Sequence, residues 1–129
     1  MEKIGCYKMK KSIEAILEKK GKLEEFYKNE EFNFKVRSEG YMDLVIEKYG
    51  RKIIVAHYFE QNGDLIADPD FEMISAGGYW LPVALQMATG HYFVARKWDA
   101  EGRELINIRQ HNEQIRFSHM WAKNISYQF

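Results

Sequence analysis

HYFEQNGDLIADPDFE, residues 57–72, decides how the rest of the chain is read. Asn62-Gly63 at its centre is the strongest hairpin signal in the sequence, because a type I′ turn needs positive φ at both central residues. A turn there pairs Gln61 with Asp64, Phe59 with Ile66 and His57 with Asp68. Pro69 has no N–H to give to a ladder, so the second strand is expected to be interrupted there. Phe71, Met73 and Ile74 are expected to continue the sheet after that bend.

Upstream, Met42, Leu44 and Ile46 alternate with Asp43 and Glu47, and Lys52 to Glu60 alternates again, as strands with one wet face do. A two-residue turn at Tyr49-Gly50 pairs Ile46 with Ile53, Leu44 with Val55 and Met42 with His57, and sets Glu47 opposite Lys52. Apolar then meets apolar and charge meets countercharge. The period is different before Phe32. Met9, Ile13, Ile16 and Leu17 recur at three- and four-residue steps, which predicts an amphipathic helix over about residues 8–20. Ser12 is a candidate cap for a slightly later start, Gly21 ends the helix or bends it, and Leu23, Phe26 and Tyr27 suggest a second short helix or the same one resumed.

Downstream, Ala76-Gly77-Gly78 reads as a loop, Trp80-Leu81-Pro82 starts a new element, and Val83 to Met87 is too short to assign. His91 to Trp98 and Glu104 to Ile108 form another expected hairpin around Ala100-Glu101-Gly102. Phe117, Trp121 and Ile125 step by four, so the tail is helical. The expected fold is α+β: an antiparallel β-meander of about five or six strands flanked by N-terminal and C-terminal helices. With 129 residues, no repeat and no flexible linker, residues 1–129 are expected to form a single domain.

Composition narrows the function classes. Nineteen basic and nineteen acidic residues cancel, so no global field draws the chain to nucleic acid or to an anionic membrane. Residues 1–22 carry seven lysines against three glutamates, whereas residues 29–75 carry ten acidic and five basic residues. Cys6 is alone, which forbids an intramolecular disulfide and suits a reducing cytoplasm. No run approaches the ~18 consecutive apolar residues of a membrane span, and no signal peptide is visible. A cytoplasmic protein is the expectation.

His57 shares its strand face with Ile53, Val55 and Phe59, and Asp68 is expected opposite it. A histidine among hydrophobes needs a partner for its ring nitrogens, and a cross-strand aspartate supplies one. Charge pairing then predicts a raised imidazole pKa unless burial outweighs it. In a straight strand Asp68, Asp70 and Glu72 line up on one face, and with His57 they offer a set that suits Mn²⁺, Fe²⁺ or Mg²⁺, hence a metal-assisted hydrolase or nuclease. The bland alternative is a buried His57–Asp68 pair that fixes the register.

A single-stranded nucleic-acid binder is a third possibility, with Lys8, Lys10, Lys11, Lys19 and Lys20 meeting phosphates and Tyr41 and Tyr58 stacking on bases. Asp43, Glu47 and Glu60 on the same outer face repel phosphate, and packing of the tyrosines under a helix is the competing account. No phosphate-binding loop, dinucleotide fingerprint, Cys/His metal spacing or nucleophile elbow occurs, so no cofactor is expected. His111 and His119 lie eight residues apart on the tail helix, too far for a helical metal pair.

Three stretches carry a family resemblance. His57-Tyr58-x-Glu60-Gln61-Asn62-Gly63-Asp64-Leu65 followed by Asp68-Pro69-Asp70 resembles the central signature of uncharacterised bacterial domain-of-unknown-function families met in phages, plasmids and conjugative elements. Trp80-Leu81-Pro82-Val83 and the closing Phe117-x-x-x-Trp121-x-x-Asn124-Ile125-x-x-Gln128-x-Phe129 are similar as well. The resemblance implies a cytoplasmic accessory domain of a mobile element and carries no catalytic residue with it. A non-enzymatic interaction domain with a protein partner is the leading expectation.

Overall fold

The computed structural model describes residues 4–129. Six strands run as an antiparallel meander in the order β1 (Glu31–Val36), β2 (Asp43–Tyr49), β3 (Lys52–Gln61), β4 (Asp64–Ala76), β5 (Tyr79–Gln86) and β6 (Tyr92–Val94). A separate hairpin pairs β7 (Arg96–Trp98) with β8 (Glu104–Ile106). Helices α1 (Tyr7–Lys19), α2 (Leu23–Lys28) and α3 (Ile108–Gln128) complete the α+β arrangement. The segment His91–Trp98 is therefore divided. Its first part closes the large sheet against β5, and only its second part makes the expected hairpin.

The apolar stripe of α1 is Met9, Ile13, Ile16 and Leu17, all buried. They join Leu44, Ile46, Val55, Phe71 and Met73 of the sheet and Trp121 and Ile125 of α3 in one core. The helices thus cover one sheet face. At roughly 1.5–3 kcal/mol for each fully buried large apolar side chain, this layer is the main favourable term in folding. Ser12 does not cap α1. It lies inside the helix, where its hydroxyl donates to the Ala122 carbonyl at 3.2 Å and bonds Ser126 at 2.6 Å, tying α1 to α3. Cys6 is fully buried, and burial pushes its thiol pKa up to about 12, so it is no nucleophile.

Two registers differ from expectation, for different reasons. The β2–β3 turn lies one residue later, at positions 50 and 51, with Gly50 at φ +60° in the first central position. That is where a type II′ turn needs a left-handed residue. Ile46 therefore pairs with Val55 and Leu44 with His57, while Tyr49, not Glu47, faces Lys52. A slip of two residues preserves which side chains face the core, so the expected faces survive.

The β3–β4 turn is as expected: Asn62 and Gly63 have φ +53° and +83°, and Gln61 pairs with Asp64 and Phe59 with Ile66. The ladder then breaks its count. Tyr58 pairs with Ala67 and Ala56 with Asp70, so His57 is opposed by both Asp68 and Pro69. This is a β-bulge, and Pro69 occupies it because the position needs no N–H in the ladder. The extra residue inverts the alternation beyond it. Without the bulge Asp70 and Glu72 would point into the core; with it, Phe71 and Met73 do. Burying two large apolar side chains in place of two carboxylates makes the bulge the favourable solution.

A second bulge lies between β4 and β5. Glu72 pairs with Ala84 and Met73 with Pro82, which leaves Val83 as the extra residue.

Candidate functional site

The first bulge opens a cleft of about 430 Å³ between the sheet and α3. His57, Asp68 and Pro69 line it from the sheet, Phe117, Met120, Trp121, Asn124 and Gln128 from α3, and Tyr41, Met42 and Met87 from flanking segments. The α3 residues fall at steps of three and four, so one flank of the helix forms the wall. Ser38 donates to the Gln128 carbonyl at 2.7 Å, which holds the 37–42 segment against the end of α3.

His57 is buried and sits edge-on to Trp121, ring centroids 5.4 Å apart, with Phe129 at 6.0 Å. Its Nδ1 lies 3.2 Å from the Asp43 carbonyl, which can only accept, so Nδ1 carries the proton and Nε2 is left as the acceptor. Asp68 is not its hydrogen-bond partner. Asp68 Oδ1 instead accepts from the Ala88 N–H at 3.2 Å. The His57 pKa is lowered, with burial the dominant cause, opposed by the Asp43 hydrogen bond and by the Asp68 charge. The expected charged pair is thus replaced by a neutral imidazole near a carboxylate, because removing the ring from water outweighs the attraction.

The four residues expected to assemble a metal set are divided between the two faces of the sheet. His57 and Asp68 share the cleft, whereas Asp70 and Glu72 stand beside Ala56 and Ile54 on the face away from the helices. The Asp70 pKa is raised, first by burial and then by the charges of Glu47 and Glu72. Lys52 reaches Glu72 at 4.0 Å. Among the described residues, no group of three or more His, Cys, Asp or Glu side chains is placed to hold a metal ion.

The expected nucleic-acid set is also dispersed. Tyr58 is on the open sheet face opposite Asp43, not under a helix, and its pKa is raised by burial and then by Asp70 and Glu47. Tyr41 borders the cleft. Lys10 donates to the Gly78 carbonyl at 2.6 Å and Lys19 to the Phe129 carbonyl at 3.3 Å, while Lys20 caps the end of α1 through its backbone N–H. Lys8 and Lys11 share a groove, and it is on the helix side of the molecule.

A domain family model described as "Domain of unknown function (DUF6908)" matches residues 11–129. The chain belongs to the DUF6908 family. No curated protein and no solved structure matches it. The match begins inside α1 and runs through α3, so the meander, both bulges and the cleft all lie within the DUF6908 domain. Among the described residues, no helix is long and apolar enough to cross a membrane.

Sequence reasoning placed His57 and Asp68 but missed the walls. Met42, Met87 and Met120 carry no recognisable chemistry, and their convergence depends on three segments meeting around the bulge. One signal was present: Phe117, Trp121, Asn124 and Gln128 form a stripe of their own beside the core stripe.

Proposed function

We propose that this DUF6908 domain is a non-enzymatic interaction module that takes a protein segment in the cleft beside the first bulge. The observation that carries the reading is the composition of the wall. Three methionines and three aromatic residues surround a single carboxylate, with no lysine or arginine among the lining residues. Met42, Met120 and Tyr41 are exposed at the mouth, where apolar side chains gain most from being covered. Methionine is unbranched and polarizable, which suits an adaptable contact surface.

Asp68 keeps one oxygen on Ala88 and offers the other. The matching partner therefore presents an apolar side chain next to a lysine or arginine, the apolar group meeting Trp121 and Phe117 and the cation meeting Asp68. His57 serves as a neutral floor to the cleft. A hydrolytic role is less well supported, because Asp70 and Glu72 lie across the sheet from His57. In this reading residues 1–129 act as one domain in the cytoplasm, in keeping with the buried lone Cys6. An accessory role for a mobile element rests on the motif resemblance alone.

Screening a displayed library of random dodecamer peptides against the purified chain tests the reading. Enriched peptides should combine an apolar anchor with a basic residue, and Met120→Asp at the exposed rim should abolish their binding without changing the melting temperature. Failure to enrich any peptide, or binding that ignores Met120→Asp, overturns it.

A further inference from the structure

The other flank of α3 carries a second concavity of different chemistry. Lys8, Lys11, Ser12 and Ala15 of α1 face His119, Ala122, Lys123 and Ser126 of α3 across a cavity of about 410 Å³. Three lysine side chains thus line one cavity in a protein whose formal net charge is zero, with no carboxylate among the lining residues. Among the described residues, none of the salt bridges involves Lys8, Lys11 or Lys123, in contrast to Lys22 and Lys52, which have acidic partners.

The floor is small. Ala15 and Ala122 leave room for a ligand to approach the helix backbones, and the Ser12–Ser126 bond occupies the two hydroxyls in closing the helix seam. That leaves lysines as the donors. Lys8 and Lys11 are three residues apart on one helix, which brings their stems to about 5–6 Å at Cβ. Charges so concentrated match a compact dianion better than the spaced charges of an extended strand. His119 stands at the same groove, packed edge-on to Tyr7 with ring centroids 4.7 Å apart, and among the described residues its buried Nδ1 has no hydrogen-bond partner.

We infer that the α1–α3 groove is a binding site for a small phosphorylated molecule, with Lys8, Lys11 and Lys123 as point-charge donors to a terminal phosphate or diphosphate. Lysine is suited to this as a compact cation with three donors, and the cavity has the size of a small-ligand site. The site is independent of the peptide cleft, since it uses the opposite flank of α3. It also supplies its own reporter. The His119 pKa is lowered by burial and then by Lys8. A dianion seated against Lys8 opposes that second cause, and among the described residues the groups facing His119 (Tyr7, Lys8, Lys11 and Lys123) include no acid that would do so in its absence.

The test is titration of the full chain with inorganic pyrophosphate, followed by calorimetry and by NMR of the histidine rings. Saturable binding that weakens with added salt is expected, with the His119 titration midpoint moving to higher pH and the His57 signals unmoved. The exposed-surface variant Lys8→Gln/Lys11→Gln should bind at least about tenfold more weakly, Lys123→Gln likewise, and Lys20→Gln as the parent chain does. Unaltered affinity in Lys8→Gln/Lys11→Gln, or an unmoved His119 midpoint at saturation, overturns the assignment. So does a dodecamer of deoxythymidine that binds where pyrophosphate does not, which would make the groove a nucleic-acid contact.

Discussion

The sheet contains two bulges, and their surroundings are opposite. At the β4–β5 bulge the chain supplies its own partners. Ala95 donates to the Val83 carbonyl at 2.8 Å, and buried Arg96 donates to the Pro82 carbonyl at 3.0 Å while its Nε meets Glu104 at 3.1 Å. Arg96 also donates to His111 Nδ1 at 3.2 Å, which joins β7 to α3. At the β3–β4 bulge no lysine or arginine is among the described residues that line the cleft. Asp68 makes one bond to Ala88, and a cleft remains beside it. A bulge frees polar groups from the ladder; a fold that fills the gap from within makes a joint, and one that does not leaves a place for another molecule.

Mutations test the contrast directly, and the most damaging should fall between the bulges. Phe71 is fully buried in the stretch of β4 that separates them. Phe71→Ala should cost about 3–5 kcal/mol in urea unfolding, since both sites depend on the alternation it anchors. A loss below about 1 kcal/mol would mean that the inverted alternation is not what holds β4.

Arg96→Ala tests the closed bulge alone. It leaves the Pro82 carbonyl without its donor and should cost about 1–3 kcal/mol, seen as a melting temperature lower by about 3–10 °C. Equal stability of variant and parent would remove the distinction drawn between the two sites.

A smaller, graded effect is expected with pH. His57 at the open bulge and His111 at the closed one are both held below the ordinary imidazole value, chiefly by burial, with Arg96 adding to the shift at His111. His119 is lowered in the same sense. Unfolded imidazoles take up protons near pH ~6.5 while the folded ones stay neutral, so stability is complete above that value and is lost as pH falls below it. Asp70, whose pKa is raised, acts in the opposite sense, so the histidine slope is best read between about pH 7 and 5.5. Melting temperature should fall over that interval; a flat profile would show that burial does not govern these rings.

The smallest effect on stability should be Asp68→Asn, within about 0.5 kcal/mol, because an amide oxygen can still accept from Ala88. The same change should remove the preference of the cleft for basic peptides. A larger destabilisation would identify Asp68 as a structural residue like Arg96.

Much of this molecule was legible as pattern. The three-and-four spacing of Met9, Ile13, Ile16 and Leu17 and of Phe117, Trp121 and Ile125 determined the two long helices, and Asn62-Gly63 determined the central hairpin, because these depend on local periodicity and backbone sterics. His57 was legible as a core-facing residue for the same reason. The parity change from Ile66 to Phe71 and Met73 across Pro69 was present in the sequence too, although the interruption expected at Pro69 did not by itself fix which face Asp70 and Glu72 would take. The remaining features depend on how distant segments pack. Whether His57 stays charged depends on how completely α3 covers it, and whether Asp70 and Glu72 join it depends on one extra residue in a ladder. Which bulge receives an arginine depends on β7 meeting β5 across a chain reversal. Those outcomes turn on burial and on contacts between distant segments, which local spacing does not encode.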